Sequence, residues 1–219
     1  MCRRFPFLPF MNRVPPSILF WTRIGFFGHS SFMIPFKYQF VLNKNALVAF
    51  LLTLKNQRCP HCDCSQSLNR HSILYGNDPA SSKNQECMRG QRVFCSNRGL
   101  RQGCGRTFSV FLAHILPRFT VTAFLLWQLV WLLLDGKSVL AAAQSLGLTF
   151  AVQTPYALLR RLRLRLDVMR SFLCRIRPAP PSSHTNPLLQ TIEHFRAAFP
   201  KADCPFQEFQ SRFQALLFG

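Results

Sequence analysis

The stretch CPHCDCSQSLNRHSILYG, residues 59–76, opens with two cysteines separated by two residues and runs into a short alternation of polar and apolar side chains. A second pair, Cys95 and Cys104, lies in RVFCSNRGLRQGCGRTF, residues 92–108. Between the pairs, NRHSILYG and CMRGQRVFC each alternate as half-buried strands do, and NDPASSKNQE joins them with the Asn, Asp, Pro and Ser of a flexible loop. Two strands with a cysteine knuckle at each end is the plan of a zinc ribbon. Zinc suits it because four thiolates close a tetrahedron at roughly 2.3 Å and a segment this poor in core needs metal to fold. Cys59, Cys62, Cys95 and Cys104 are assigned as the ligands. Pro60 stiffens the first turn, and Gly103 and Gly105 flank the last ligand, where positive backbone angles are often needed. Eight residues separate Cys95 from Cys104, so SNRGLRQG must bulge out as an arginine-bearing loop. Cys64, Cys87, His61 and His71 are close enough in sequence to compete for the metal.

The charge points to a partner. Lys plus Arg number 27 against 8 Asp plus Glu, a formal net charge of +19, and an excess of that size predicts a polyanion, with nucleic acid ahead of an anionic membrane surface. So few carboxylates also argue against catalysis by clustered acids. Nine cysteines, an odd number in no even framework, fit a reducing cytoplasm better than a disulfide scaffold. Pro6, Pro9, Pro15 and Pro16 interrupt every apolar run near the start, so no export signal is expected. The run VTAFLLWQLVWLLL, residues 121–134, falls short of the ~20 residues that span a bilayer and reads as a core helix.

Residues 1–55 are rich in Phe and Pro without a sustained period and are expected to form an irregular extension or an apolar helix, with Met33 a later candidate start. Residues 56–112 hold the ribbon. Residues 117–177 are helical. The first helix ends at DGKS with Gly136 as its cap, and a second follows from Ser138 as SVLAAAQSLGL. Ala143 followed four residues later by Gly147 is how a helix-turn-helix packs and turns. A third, long helix is expected with Thr154 as its cap and Pro155 at its first position. Leu159, Leu162, Leu166, Met169 and Leu173 make one apolar seam along it. That seam is a candidate homodimer contact unless the helix from Val121 covers it. Arg160, Arg161, Arg163, Arg165 and Arg170 lie around the seam; Arg170, Arg175 and Arg177 are expected to meet only phosphate or solvent. Residues 178–188, beginning PAPPSSHTNP, read as a linker before short helices in 189–219.

The order CPHC, RVFC…CGRTF, a helix, then SVLAAAQSLGL…TPYALLRRLRLRL resembles the zinc-ribbon and helix-turn-helix front half of bacterial insertion-sequence transposases, over about residues 57–175. The resemblance implies a small α+β chain, a zinc ribbon followed by an all-α helix-turn-helix domain; the N-terminal and C-terminal extensions outside it are expected to be poorly structured. It implies zinc on the four cysteines, a turn at Gly147, and a recognition helix from Thr154 through Arg161. The candidate DNA contacts are therefore Thr154, Tyr156, Arg160, Arg161 and Arg163, with Arg98, Arg101 and Arg106 around the second knuckle. Such transposases cut DNA with three carboxylates holding two metal ions. After the helix-turn-helix only Asp167, Glu193, Asp203 and Glu208 are present, so no nuclease is expected. The expectation is a cytoplasmic, nucleoid-associated binder of double-stranded DNA with no enzymatic activity and no small-molecule substrate. A free-standing transcriptional regulator and a basic membrane-associated protein are the alternatives.

Overall fold

A computed structural model of the chain describes residues 38–77, 86–99, 102–147 and 151–218. Ordered structure begins inside the stretch expected to be irregular. Strand β1 (Tyr38–Val41) and helix α1 (Lys44–Leu52) both precede residue 55. The Asn43 side chain starts α1 by accepting the Ala46 amide at 2.9 Å, and Leu47 on its inner side is fully buried. The apolar helix expected as one alternative for this stretch is α1, whereas the strand β1 was not expected; residues 1–37 lie outside the described residues. The cause is non-local: β1 is too short to show a period and is held by parallel pairing with a strand far along the chain, Tyr38 opposite Ser109 and Val41 opposite Leu112.

The two expected ribbon strands are β2 (Leu68–Asn77) and β3 (Glu86–Cys95), antiparallel, with Leu68 opposite Cys95. A further strand, β4 (Thr107–Leu112), follows Cys104, and the sheet order is β1-β4-β3-β2. The stretched second knuckle is therefore the β3–β4 connection. Its closing bonds continue the ladder, Cys95 donating to the Arg106 carbonyl at 2.9 Å and Gly105 to that of Cys95 at 3.0 Å. Gly90 on β3 can only be glycine, since an added Cβ would lie 2.2 Å from the Val110 carbonyl oxygen. Leu47, Leu54, Leu68, Val93, Phe108, Val110 and Leu112 form the core on one face of this sheet, and the cysteines stand at its end.

Helix α2 (Ala123–Leu134) is capped by Thr122, whose hydroxyl accepts the Leu125 amide at 3.2 Å, and it ends at Gly136 with φ +87°. Ser138 caps α3 (Val139–Ser145) in the same way through the Ala141 amide at 3.2 Å, and Gly147 turns the chain with φ +61°. The following helical stretch departs from expectation. It consists of α4 (Gln153–Arg163) and α5 (Leu166–Leu173), with one turn leaving the helical path between them. No Gly or Pro marks that break. Leu164, apolar but off the seam, stays 77% exposed there. Thr154 does not cap α4, which starts after Val152 without a side-chain cap. Thr154 and Pro155 fall within its first turn.

All five seam residues, Leu159, Leu162, Leu166, Met169 and Leu173, are buried within the chain. The dimer contact expected through them is corrected accordingly. The C-terminal helices α6 (Pro187–Ala198) and α7 (Pro205–Phe213) pack against α5, which carries Leu166, Met169 and Leu173. These are no loose extension. Phe195, Phe206 and Phe209 are fully buried, with ring centroids 4.9 Å apart for Phe195–Phe206 and 5.3 Å for Phe195–Phe209. Phe206 meets Trp127 of α2 edge-on at 5.1 Å, and Phe172 of α5 meets Phe209 at 5.7 Å. Glutamines carry α7 onto the sheet. Gln210, fully buried, donates to the Ala113 and Ile115 carbonyls at 2.7 and 3.0 Å, and Gln207 donates to that of Leu42 at 3.0 Å. Gln214 both donates to the Phe40 carbonyl at 2.9 Å and accepts its amide at 2.8 Å.

The arginines beyond α4 also make contacts within the chain, although Arg175 and Arg177 remain exposed. Arg170 donates to Thr191 Oγ1 at 2.8 Å, to the Pro187 carbonyl at 2.7 Å and to Gln190 Oε1 at 3.1 Å, which ties α5 to α6. Arg177 donates to the Ala197 carbonyl at 3.3 Å, and Arg175 lies over the Phe172 ring at 5.0 Å. Charge-assisted hydrogen bonds of this kind contribute enough that Arg170→Ala is expected to lower stability by about 2 kcal/mol. The check is a shifted urea midpoint at unchanged denaturant slope. Among the described residues, no helix is long and apolar enough to cross a membrane.

Candidate metal centre

Two turns bring the four assigned cysteines together. Cys59 and Cys62 belong to the loop before β2, Cys95 ends β3, and Cys104 stands three residues before β4. Their sulfur atoms all lie within 4.8 Å of one another, with Cys59–Cys104 and Cys62–Cys95 each at 3.7 Å. A tetrahedron with arms of roughly 2.3 Å has edges of about 3.8 Å, so the closest pairs already have the spacing of ligands around one ion.

The surroundings suit thiolates. The His61 amide donates to Cys59 Sγ at 3.4 Å and the Cys104 amide to Cys95 Sγ at 3.3 Å; Ser67 Oγ lies 3.2 Å from Cys95 Sγ. Cys62 and Cys104 accept from the backbone of Cys64 and Arg106. Donors aimed at sulfur favour its ionised form and hold it in place for a cation. Without an ion, the thiols differ. Burial pushes Cys59 well above its ordinary value and raises Cys104. Burial also acts upward on Cys62, but the Cys64 amide and the neighbouring Cys104 and Cys59 thiols outweigh it and bring it down to about 7. The donor set, its convergence and its hydrogen bonds fit a metal ion.

Glycine is needed on each side of Cys104 for different reasons. Gly105 has φ +70°, as a turn glycine does. Gly103 is required by crowding: a Cβ there would lie 2.2 Å from the Ser96 carbonyl oxygen and 2.6 Å from Cys95 Sγ. Gly103→Ala must therefore move a ligand, and metal affinity is expected to fall roughly 10–100-fold, the usual cost of disturbing a ligand's supports. Competition titration with a chromophoric chelator measures it.

The competing ligands stand outside the cluster. Cys64 Sγ donates to the Gln102 carbonyl at 3.0 Å, and His71 Nδ1 lies 3.1 Å from Ser72 Oγ. Cys87 is on β3 opposite Gly76, near the other end of that strand from Cys95. The His61 ring turns edge-on towards Phe108, with centroids 6.5 Å apart, and its Nε2 is buried without a hydrogen-bond partner. Ser67 went unnoticed in the sequence because a single serine between two knuckles carries no pattern.

The candidate DNA contacts separate into groups. Tyr156 is 51% exposed on the outer side of α4. Gln153 and Arg160 are exposed at the same helical spacing. Thr154 is half-buried, its amide donating to the Ala151 carbonyl at 2.8 Å. Arg161 lies over the Phe119 ring at 4.9 Å, while Arg163 is exposed at the last turn. Arg98 and Arg106 are exposed on the β3–β4 connection, and Arg101 lies outside the described residues. No protein-family model matches the chain, and neither a curated protein nor a solved structure is significantly similar to it.

Proposed function

We propose that the chain is a zinc-stabilised, sequence-specific DNA-binding protein of transposable-element origin, nucleoid-associated and without nuclease activity of its own. The observation that carries the reading is α4, whose Leu158, Leu159 and Leu162 are buried while Gln153, Tyr156 and Arg160 stand exposed on the other side. A helix packed by one face and following a glycine turn from α3 can enter the major groove with its exposed face. The net charge of +19 supplies the long-range attraction to phosphate. Arg160 suits bidentate hydrogen bonding to guanine, Gln153 to adenine, and Tyr156 can meet a thymine methyl or the backbone. Arg98, Arg106 and Arg163 are assigned to phosphates.

In this reading zinc takes all four thiolates and keeps no open position, so its part is structural. It links the loop before β2 to the connection between β3 and β4, which carries Arg98 and Arg106. Non-catalytic binding agrees with the scarcity of carboxylates. The test is selection of bound duplexes from a random pool with the full chain. A recovered motif, bound at least ~10³-fold more tightly than scrambled duplex at physiological salt, supports the proposal. Recovery of no motif, with equal affinity for every duplex, removes sequence specificity from it.

A further inference from the structure

Only one face of the sheet is needed for its core. Val93 opposite Phe108, and Val110 and Leu112 further along β4, point to the side where Leu47 and Leu54 pack. Strand alternation sends Arg92, Phe94, Thr107 and Phe111 to the other side. There Arg92 on β3 lies between Ser72 of β2 and Ser109 of β4, and Phe94 lies between Asn69 and Thr107. His71 is the extra residue where the β2–β3 register shifts between Arg70 and Ser72. Its ring stands 6.4 Å from that of Phe94, and its Nδ1 lies 3.1 Å from Ser72 Oγ. The Phe111 ring has that of Tyr38 beside it at 5.6 Å. Two groups of rings, centred on Phe94 and Phe111 and roughly 14 Å apart by strand rise and spacing, thus flank one arginine.

His71, Ser72, Arg92 and Thr107 are exposed, while Phe94 and Phe111 are half-buried and show part of their rings to solvent. Among the described residues Arg92 has no ion-pair partner. Glu86, at the end of β3 far from Phe94, is the one carboxylate on the four strands, so the face suits a polyanion. A duplex hides the faces of its bases within the stack, and flat rings on a sheet have nothing there to pair with. Unpaired bases do stack on such rings. We propose that this face of the sheet binds single-stranded DNA, with bases stacked on Phe94 and His71 and on Phe111, and a phosphate between them on Arg92. The surface is separate from α4; only in choosing DNA over RNA does the inference rest on the DNA reading above.

The experiment measures binding of the full chain, with zinc present, to fluorescein-labelled oligothymidylate of about 12 nucleotides, within the span such surfaces cover. The comparison strands are an abasic oligomer with the same phosphates and an oligouridylate. The abasic strand should bind at least ~10-fold more weakly, because it has the charge but nothing to stack. Phe94→Leu, which keeps the apolar bulk without the ring, and His71→Ala should each weaken oligothymidylate roughly tenfold while the abasic strand, as a control for folding, binds as before. Arg92→Ala should instead weaken both strands and lower the slope of log affinity against log salt by about 0.7 unit. Equal affinity of the parent for the two DNA strands, or an unchanged oligothymidylate affinity in Phe94→Leu and His71→Ala, would overturn the proposal. Oligouridylate bound more tightly than oligothymidylate would overturn the choice of DNA, and a dimer of the chain that dissociates in Phe94→Leu would show a second copy on this face instead. Failure of the duplex selection leaves the result untouched, since an unpaired strand offers α4 no groove to enter.

Discussion

Replacing Cys59 and Cys62 together by serine is expected to abolish zinc binding and, with it, the tertiary structure of the sheet. The two cysteines are the side of the cluster that comes from outside the β3–β4 hairpin; without them a metal ion would have only Cys95 and Cys104, both at one hairpin's end. Structural zinc sites contribute on the order of 10 kcal/mol to folding, as much as the whole net stability of a typical domain. The one-sided core of Leu47, Leu54, Leu68, Val93, Phe108, Val110 and Leu112 is too small to make up that loss. Metal content by mass spectrometry, near-ultraviolet dichroism and amide exchange on β3 and β4 measure the outcome. A double variant that melts with the parent, or one that retains a full equivalent of zinc, removes the centre from the folding argument.

The second large effect separates arginines that sequence alone made equivalent. Arg160→Ala is expected to weaken binding to the selected site by ~1–3 kcal/mol and to relax its sequence, leaving scrambled duplex nearly unaffected. Arg161, one residue on, has its guanidinium over Phe119, so Arg161→Ala should cost about 0.5–1 kcal/mol of stability and change recognition little. Removing Arg98 or Arg106 should weaken all duplexes alike and lower the slope of log affinity against log salt by about one unit each. Salt titrations on specific and scrambled duplexes distinguish these patterns. Equal losses on both duplexes for Arg160→Ala would show that α4 does not read bases.

How much of this could be read beforehand depends on how local each signal is. The knuckles, β2 and β3, the ends of α2 and α3 and the turn at Gly147 were legible because each rests on residues within a few positions of one another: a cysteine spacing, an alternation, a cap, a glycine. The convergence of the four sulfurs was likewise legible in the cysteine spacing. Where the determinants are distant, the reading failed. β1 follows a long Phe- and Pro-rich stretch and is held by β4, so composition hid it, although an apolar helix such as α1 was among the expectations for that stretch. The break between α4 and α5 has no breaker residue, and Leu162 and Leu166 on either side of it are both buried. The Phe-rich C-terminal residues looked like an appendage because the aromatic partners of Phe206 and Phe209, Trp127 and Phe172, come from earlier helices. Polar bonds such as those of Gln210 and Arg170 have no sequence signature at all.

The Gln214 side chain has a consequence for how the protein is made. By bonding to both the amide and the carbonyl of Phe40 it does what a neighbouring strand would do, and it reaches back 174 residues to do it. β1 is among the first described segments to leave the ribosome, and the group that seals its free side is among the last. At ~5–20 residues per second, roughly 10–35 s of synthesis pass between them. Throughout that interval an unsealed strand edge is a template for pairing with other nascent chains. The growing chain is therefore most vulnerable to aggregation before residue 214 is made, and its demand for chaperones belongs to translation more than to the finished molecule.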